Sequence, residues 1–332
     1  MGEGSHFPSL CPRPRRGVTE LLTMDTAALI VAMLCAGAVA GVAAGLFGIG
    51  GGFVVVPALL AIFNILGVES DVAMHLALGT SLGTIILTSM RSVQAHAKRG
   101  AVDFTIIRDW APWIVIGVIL GLGLASSAPA DILKIVFGVG VLILSVNFLF
   151  PTAFKGVKLS EEMPKGIALA AIATFLGGFS ALLGIGGGTI AILVMTMCGR
   201  SIHQAVATAA GFGAIIAIPG TIGWAIVGWN ETGVPPFSIG YINLIGLVAI
   251  ASMSMLTAPY GAALAHKLNP MSLKRVFGAY LVFTSVLMLK DVAFAPVLMH
   301  EPTEVVDIDA HLPAGGANNS GAPQQSAPHV GE

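Results

Sequence analysis

The chain has 332 residues, 55% of them hydrophobic and only 10% charged. A soluble domain carries about 25% charged residues, and the apolar runs here recur at about 20 residues, the length of a helix that crosses a bilayer. This excludes an ordinary soluble globular protein. The net charge of −1 and the lack of a basic patch speak against nucleic acid as a partner.

The expected class is therefore an all-α polytopic membrane protein of about ten transmembrane or half-membrane helices, with the lipid bilayer as its surroundings. Residues 1–24 read as a flexible N-terminal extension, because "CPRPRRG" from Cys11 is basic and Pro-rich and is not followed by a signal-peptide cleavage site. Met24, just before "DTAALIVAMLCAG", is a candidate native start. Ten apolar segments follow, near 26–44, 50–66, 72–90, 109–125, 132–150, 166–183, 187–199, 203–228, 238–262 and 273–295. They group into a first transmembrane repeat over 25–150, a cytoplasmic linker over 151–165 and a second repeat over 166–299. The tail over 300–332 is rich in Ala, Gly, Pro and Asn and is expected to be disordered. Cys11, Cys35 and Cys198 show no metal-ligand spacing, so no metal or cofactor is expected.

The grouping rests on an internal duplication. "GIGGG" at 48–52 returns at 184–188, "LGTSLGTII" from Leu78 aligns with "TAAGFGAII" from Thr208, and "LKIVFGV" at 133–139 returns as "LKRVFGA" at 273–279. Five segments per unit is an odd number, so the second unit should be inverted relative to the first. Loop charges agree with ten alternating crossings. Arg91, Lys98, Arg99 and Arg108, then Lys155, Lys158 and Lys165, then Arg200, then Lys267, Lys274 and Arg275 mark cytoplasmic loops. The 67–71, 126–131 and 229–237 loops carry Glu69, Asp71, Asp131 and Glu231 but no Lys or Arg, and should lie outside.

The glycine clusters carry the functional expectation. Gly48, Gly50, Gly51 and Gly52, and again Gly184, Gly186, Gly187 and Gly188, stand inside apolar runs. Each glycine costs a helix interior about 1 kcal/mol, so the helices should unwind there. Close helix packing is one explanation. The other is a binding site, since irregular backbone at membrane depth is tolerated only inside protein or beside a water-filled cavity. Segments two and seven would then start at that depth, with free N–H groups and positive dipole ends suited to a small anion. No Walker lysine or third Rossmann glycine is present, which argues against a nucleotide.

Segment three supplies hydroxyls. Thr80, Thr84 and Thr88 form a stripe spaced by four, with Ser81 beside it. They are candidates to hold an oxyanion, or else they bond their own helix carbonyls. The second copy keeps Thr208 but has Ala210–Gly211 where the first has Thr80–Ser81, so the site should be weighted to the first half. His75 is ionisable within the membrane zone and is the candidate for proton or anion coupling, with an interfacial histidine as the alternative.

"GLFGIGGGFVVVPALL", then "HLALGTSLGTI", "ALLGIGGGTIAI" and "AVATAAGFGAII" resemble the sulfite exporter TauE/SafE family, also called the toluene sulfonate uptake permease family. The resemblance covers roughly 26–295. It implies a multi-pass transporter of the bacterial inner membrane for small anions such as sulfite, sulfoacetate or sulfonates. It also implies that Gly48, Gly50, Gly51, Gly52, Thr80, Ser81, Gly184, Gly186, Gly187 and Gly188 line the substrate path. The expected function is a secondary transporter of a small anion, with a passive anion channel as the alternative. An enzyme is not expected, because the GxSxG and HExxH arrangements are absent. Oligomeric state is not legible in the sequence.

Overall fold

Proline and glycine set the element boundaries, and hydropathy sets which elements are buried. A computed structural model describes residues 16–47, 50–98, 100–150, 162–265 and 270–298. The sequence expectations for Gly48, Arg99, Lys155, Lys158, Lys267 and the 300–332 tail fall outside the described residues. Among the described residues the chain forms α1 (Arg16–Phe47), α2 (Gly52–Ile65), α3 (Ser70–Ala97), α4 (Phe104–Ser126), α5 (Ala130–Leu149), α6 (Gly166–Leu182), α7 (Gly188–Met197), α8 (Ile202–Val227), α9 (Leu244–Ala265) and α10 (Pro270–Leu298). Met1–Phe294 is one compact unit, and Ala295–Glu332 is a second, of which only the end of α10 is described.

The ten apolar segments are thus ten helices, with three differences. α1 reaches back to Arg16, into the stretch expected as a flexible extension; after Pro14 only Gly17 weakens a helical sequence. α3 continues past residue 90 to Ala97 and carries Arg91 on its last turns. Residues 238–243, read as the start of a helix, form a two-stranded hairpin instead: β1 (Ser238–Ile239) pairs antiparallel with β2 (Ile242–Asn243). Phe237 and Gly240 stand at positive φ, 61° and 55°, which turns the chain there instead of continuing a helix.

Among the described residues, five helices are long and apolar enough to cross a membrane: Ala27–Phe47 of α1, all of α3, α4 and α8, and Leu244–Gly261 of α9. α2, with 14 residues, and α7, with 10, are shorter. At 1.5 Å per residue they reach about 21 and 15 Å, less than the hydrocarbon core of about 30 Å. The outer surface carries Ile119, Leu120, Leu124, Phe175, Ile222 and Val248 exposed, as a lipid-facing surface requires.

α3 is the central helix, with every residue from Val72 to Ile85 buried. It runs antiparallel to α8: Gly79 meets Trp224, Gly83 meets Thr221, and Ser89 meets Gly213. α1 runs parallel to α9, with Gly37 and Gly41 against Ile250 and Ser254. α4 runs parallel to α6, with Gly117 and Gly121 against Thr174 and Gly178. Small residues permit these close approaches, which supply dispersion where lipid removes the hydrophobic drive between helices. The partners also follow a rule. Exchanging α1–α5 for α6–α10 turns α1–α9 into α6–α4, α2–α3 into α7–α8, and α3–α9 into α8–α4, and all of these pairs are present. A duplication of two related halves gives that pattern.

Antiparallel packing of α3 on α8 brings Arg91, Lys98, Arg108 and Arg200 to one end, where Asp103 N–H donates to Thr208 Oγ1 at 3.0 Å. At the other end the Asp71 carboxylate accepts from Ala130 N–H at 2.6 Å, and Tyr241 Oη donates to Glu231 at 3.1 Å. Burial and the neighbouring Glu231 push the Tyr241 phenol up to about 12, so it stays a donor.

A side chain at Gly117 would collide with the Thr174 carbonyl, whereas Gly123 has nothing within 4 Å. Gly117→Val should therefore lower stability by about 2 kcal/mol, the scale of an overpacked contact, and Gly123→Val should be nearly neutral. Thermal unfolding of the two purified variants in one detergent checks this.

Candidate functional site

Both glycine clusters interrupt the helical backbone. α1 ends at Phe47 and α2 begins at Gly52; α6 ends at Leu182 and α7 begins at Gly188. The residue before each short helix, Gly51 and Gly187, is left-handed at φ 78° and 66°, and Gly50 and Gly184 are also positive. Any side chain is strained in that conformation.

The two breaks meet. A Cβ on Gly52 would lie 2.7 Å from the Gly184 carbonyl oxygen, and one on Gly50 would lie 3.9 Å from Gly186 Cα. Residues more than 130 positions apart in sequence thus touch beside the middle of α3. Gly51, Gly52, Gly184, Gly186, Gly187 and Gly188 are all buried.

The hydroxyls expected to hold an anion in the first half have protein partners. Thr80 Oγ1 accepts from Asn243 N–H at 2.9 Å, and Ser81 Oγ donates to the Gly184 carbonyl at 2.8 Å. Thr84 donates to the Ser81 carbonyl, and Thr88 to those of Thr84 and Ile85. Thr208 accepts from Asp103. Thr80 and Ser81 therefore fasten α3 to the second half: Thr80 to the start of α9, where Asn243 Oδ1 also accepts from Gly246 N–H at 2.8 Å, and Ser81 to the second break.

Sequence reasoning passed over three residues beside the breaks. Ser180 and Thr189 flank the second cluster, and both hydroxyls are buried with no partner among the described residues. Ser89 reaches the second break from α3, its Oγ lying against Gly213. A signal for the first two was present. The positions that match them in the first repeat are Ala44 and Phe53, so polar residues replace apolar ones only at the second break.

A cavity of about 640 Å³ reaches the first break at Gly50. Its mouth is lined by exposed Arg91, Gln94 and Lys98 with His96, and its inner end by Thr88, Ser89 and Gly50. No carboxylate lines it among the described residues, so Arg91 and Lys98 set the sign of charge at its mouth.

His75 lies at the opposite end of α3, buried, stacked on Tyr241 and tilted against Trp224. Nδ1 is 2.6 Å from the Asp71 carbonyl and Nε2 is 3.2 Å from the Ala125 carbonyl. Carbonyls only accept, so the neutral ring serves one of them, and the protonated ring serves both.

An apolar helical bundle with two backbone breaks meeting beside its central helix defines a multi-pass membrane protein. The Sulfite exporter TauE/SafE family matches residues 33–288, and the chain belongs to that family. It is 32% identical over 257 residues to a probable membrane transporter protein of Haemophilus influenzae, covering 77% of this chain and 97% of that one. A probable membrane transporter protein of Methanocaldococcus jannaschii is 27% identical over 268 residues, 79% and 96% of the two chains. One from Bacillus subtilis is 28% identical over 186 residues, 50% and 67%. No solved structure matches.

Thr80→Val removes the acceptor of a buried amide, while Thr84→Val removes a bond made only within α3. The first should cost about 1–3 kcal/mol, the price of an unpaired buried donor, and the second well under 1 kcal/mol. Thermal unfolding of both variants in detergent checks the difference.

Proposed function

We propose that the protein is a secondary carrier of a small anion, of the sulfite, sulfonate or related organosulfur type, and that it binds the anion at the two glycine breaks. The observation that carries this function is the one-sided cavity, cationic at its mouth and ending on backbone. By the positive-inside rule the mouth faces the cytoplasm. Arg91 and Lys98 collect the anion there, and the cavity delivers it to Gly50 and the breaks. The glycines keep backbone amides accessible to it. Thr80, Ser81 and Thr84 shape α3 beside the breaks, and Thr208 anchors α8. The two halves are an inverted duplication, so that rocking one against the other exposes the same centre to either side.

A carrier fits better than a channel. Beyond the breaks the path is filled by Trp224, Tyr241 and His75 and closed by the bond between Thr80 and Asn243. His75 is assigned to proton coupling, because the protonated ring donates to both carbonyls, Asp71 on α3 and Ala125 on α4, and the neutral ring to only one of them. The charged groups about it are Asp71 on its own helix, held by Ala130 N–H, and Glu231, which reaches it through Tyr241.

Purified protein in proteoliposomes should take up radiolabelled sulfite with saturation, and unlabelled sulfite on the far side should accelerate it. A linear, unsaturable flux would mark a channel instead. Combining Arg91→Gln with Lys98→Gln should raise KM several-fold and flatten the salt dependence of uptake. His75→Gln should keep sulfite exchange and lose accumulation driven by an imposed pH gradient; gradient-driven accumulation equal to wild type would remove the coupling role.

A further inference from the structure

The anion's seat is expected from the sequence on the first half, at Thr80 and Ser81. Those hydroxyls are engaged, and the donors without partners lie elsewhere. We propose that the second break is a dedicated oxyanion seat, formed by the hydroxyls of Ser180 and Thr189 together with the backbone amides at the start of α7. This assignment rests on the anion-carrier function proposed above and adds which residues hold the charged group.

Three observations converge. First, Ser180 is fully buried and Thr189 is 4% exposed, and neither Oγ atom has a hydrogen-bond partner among the described residues. Buried hydroxyls are rarely left unpaired, since each costs the desolvation of a polar group. Second, Ser180 Oγ aims at the break: it lies 2.8 Å from the point where a Cβ on Gly187, the residue before α7, would stand. Third, the amides of Gly186, Gly187, Gly188, Thr189 and Ile190 have no acceptor in place among the described residues, the first intact bond being Ala191 N–H to the Gly187 carbonyl. Gly186 to Thr189 are buried, so water is no ready substitute.

Every one of these groups is a donor or a hydroxyl, and they stand at the positive end of a helix of 10 residues. That combination favours a compact anion with several oxygens over a cation. A sulfite, or the sulfonate head of a larger solute, has three oxygens and matches two hydroxyls and a short row of amides. The first break differs. There Val54 and Val55 N–H both turn onto the Gly51 carbonyl, and Ala44 and Phe53 stand where Ser180 and Thr189 stand in the second. The cavity ends at Gly50, where an added Cβ would lie 3.9 Å from Gly186 Cα at the edge of the seat.

The test uses the full chain in lipid nanodiscs with Ser180→Ala, Thr189→Val and the control Thr196→Val, whose hydroxyl bonds its own helix carbonyls. Sulfite affinity and the unfolding temperature without anion are measured for each. Ser180→Ala and Thr189→Val should each weaken sulfite binding about tenfold or more, as expected for the loss of one hydrogen bond to a charged group. Their anion-free unfolding temperature should stay level or rise, because an unpaired buried hydroxyl has been removed. Thr196→Val should match wild type in affinity. Wild-type sulfite affinity in both variants would overturn the seat and leave the carrier function standing. A fall in anion-free unfolding temperature would also overturn it, by showing that the hydroxyls have structural partners. A changed sodium dependence with unchanged sulfite affinity would assign the groups to a cation and overturn it as well. If wild type binds neither sulfite, sulfoacetate nor methanesulfonate saturably, the seat and the anion-carrier function both fall.

Discussion

A peptide group inside a bilayer has no water to bond, so each N–H and C=O needs a partner within the protein. An unbroken helix meets this demand by itself. This chain breaks two helices within its apolar interior, at Gly50–Gly51 and at Gly184–Gly187, and the rest of the fold compensates. α3 runs through the centre, buried from Val72 to Ile85. Its Ser81 hydroxyl satisfies the Gly184 carbonyl, and Thr80 satisfies the amide of Asn243 just before α9. The breaks also shelter each other, with Gly52 seated on the Gly184 carbonyl. Glycine is needed for two separate reasons: positive φ at Gly51 and Gly187, and lack of a side chain at Gly52, where backbone meets backbone.

The two halves share a plan but divide the labour. The hydroxyl pair on α3 has no counterpart on α8, where Ala210 and Gly211 stand, and the hydroxyl pair around the second break has no counterpart at the first. A hydroxyl that fastens one half to the other is not available to a solute. The hydroxyls of Ser180 and Thr189 at the second break have no partner among the described residues. The repeats thus diverge in what their hydroxyls bond, with those on α3 holding the scaffold.

The charge distribution follows the same axis. Arg91 and Lys98 stand at the mouth of a cavity that no carboxylate lines among the described residues, and the opposite end of α3 packs His75 with Trp224 and Tyr241. His75 lies there between the Asp71 carbonyl of its own helix and the Ala125 carbonyl of α4.

Hydropathy alone determined the helical class, the number of segments and the shortness of α2 and α7, because apolar length relates directly to bilayer thickness. Glycine spacing alone determined where the helices break, since backbone preference is a local property. Hydropathy did not show the hairpin at 238–243, because Ile239, Tyr241 and Ile242 are as apolar as the helix that follows. Hydroxyl roles were a different matter. Whether Thr80, Ser81, Ser180 or Thr189 faces a partner depends on which carbonyl or amide lies across from it, and those groups come from helices more than a hundred residues away. Sequence pattern places a hydroxyl on a helix; only the packing of α3 against the second half decided which hydroxyls were left without a partner.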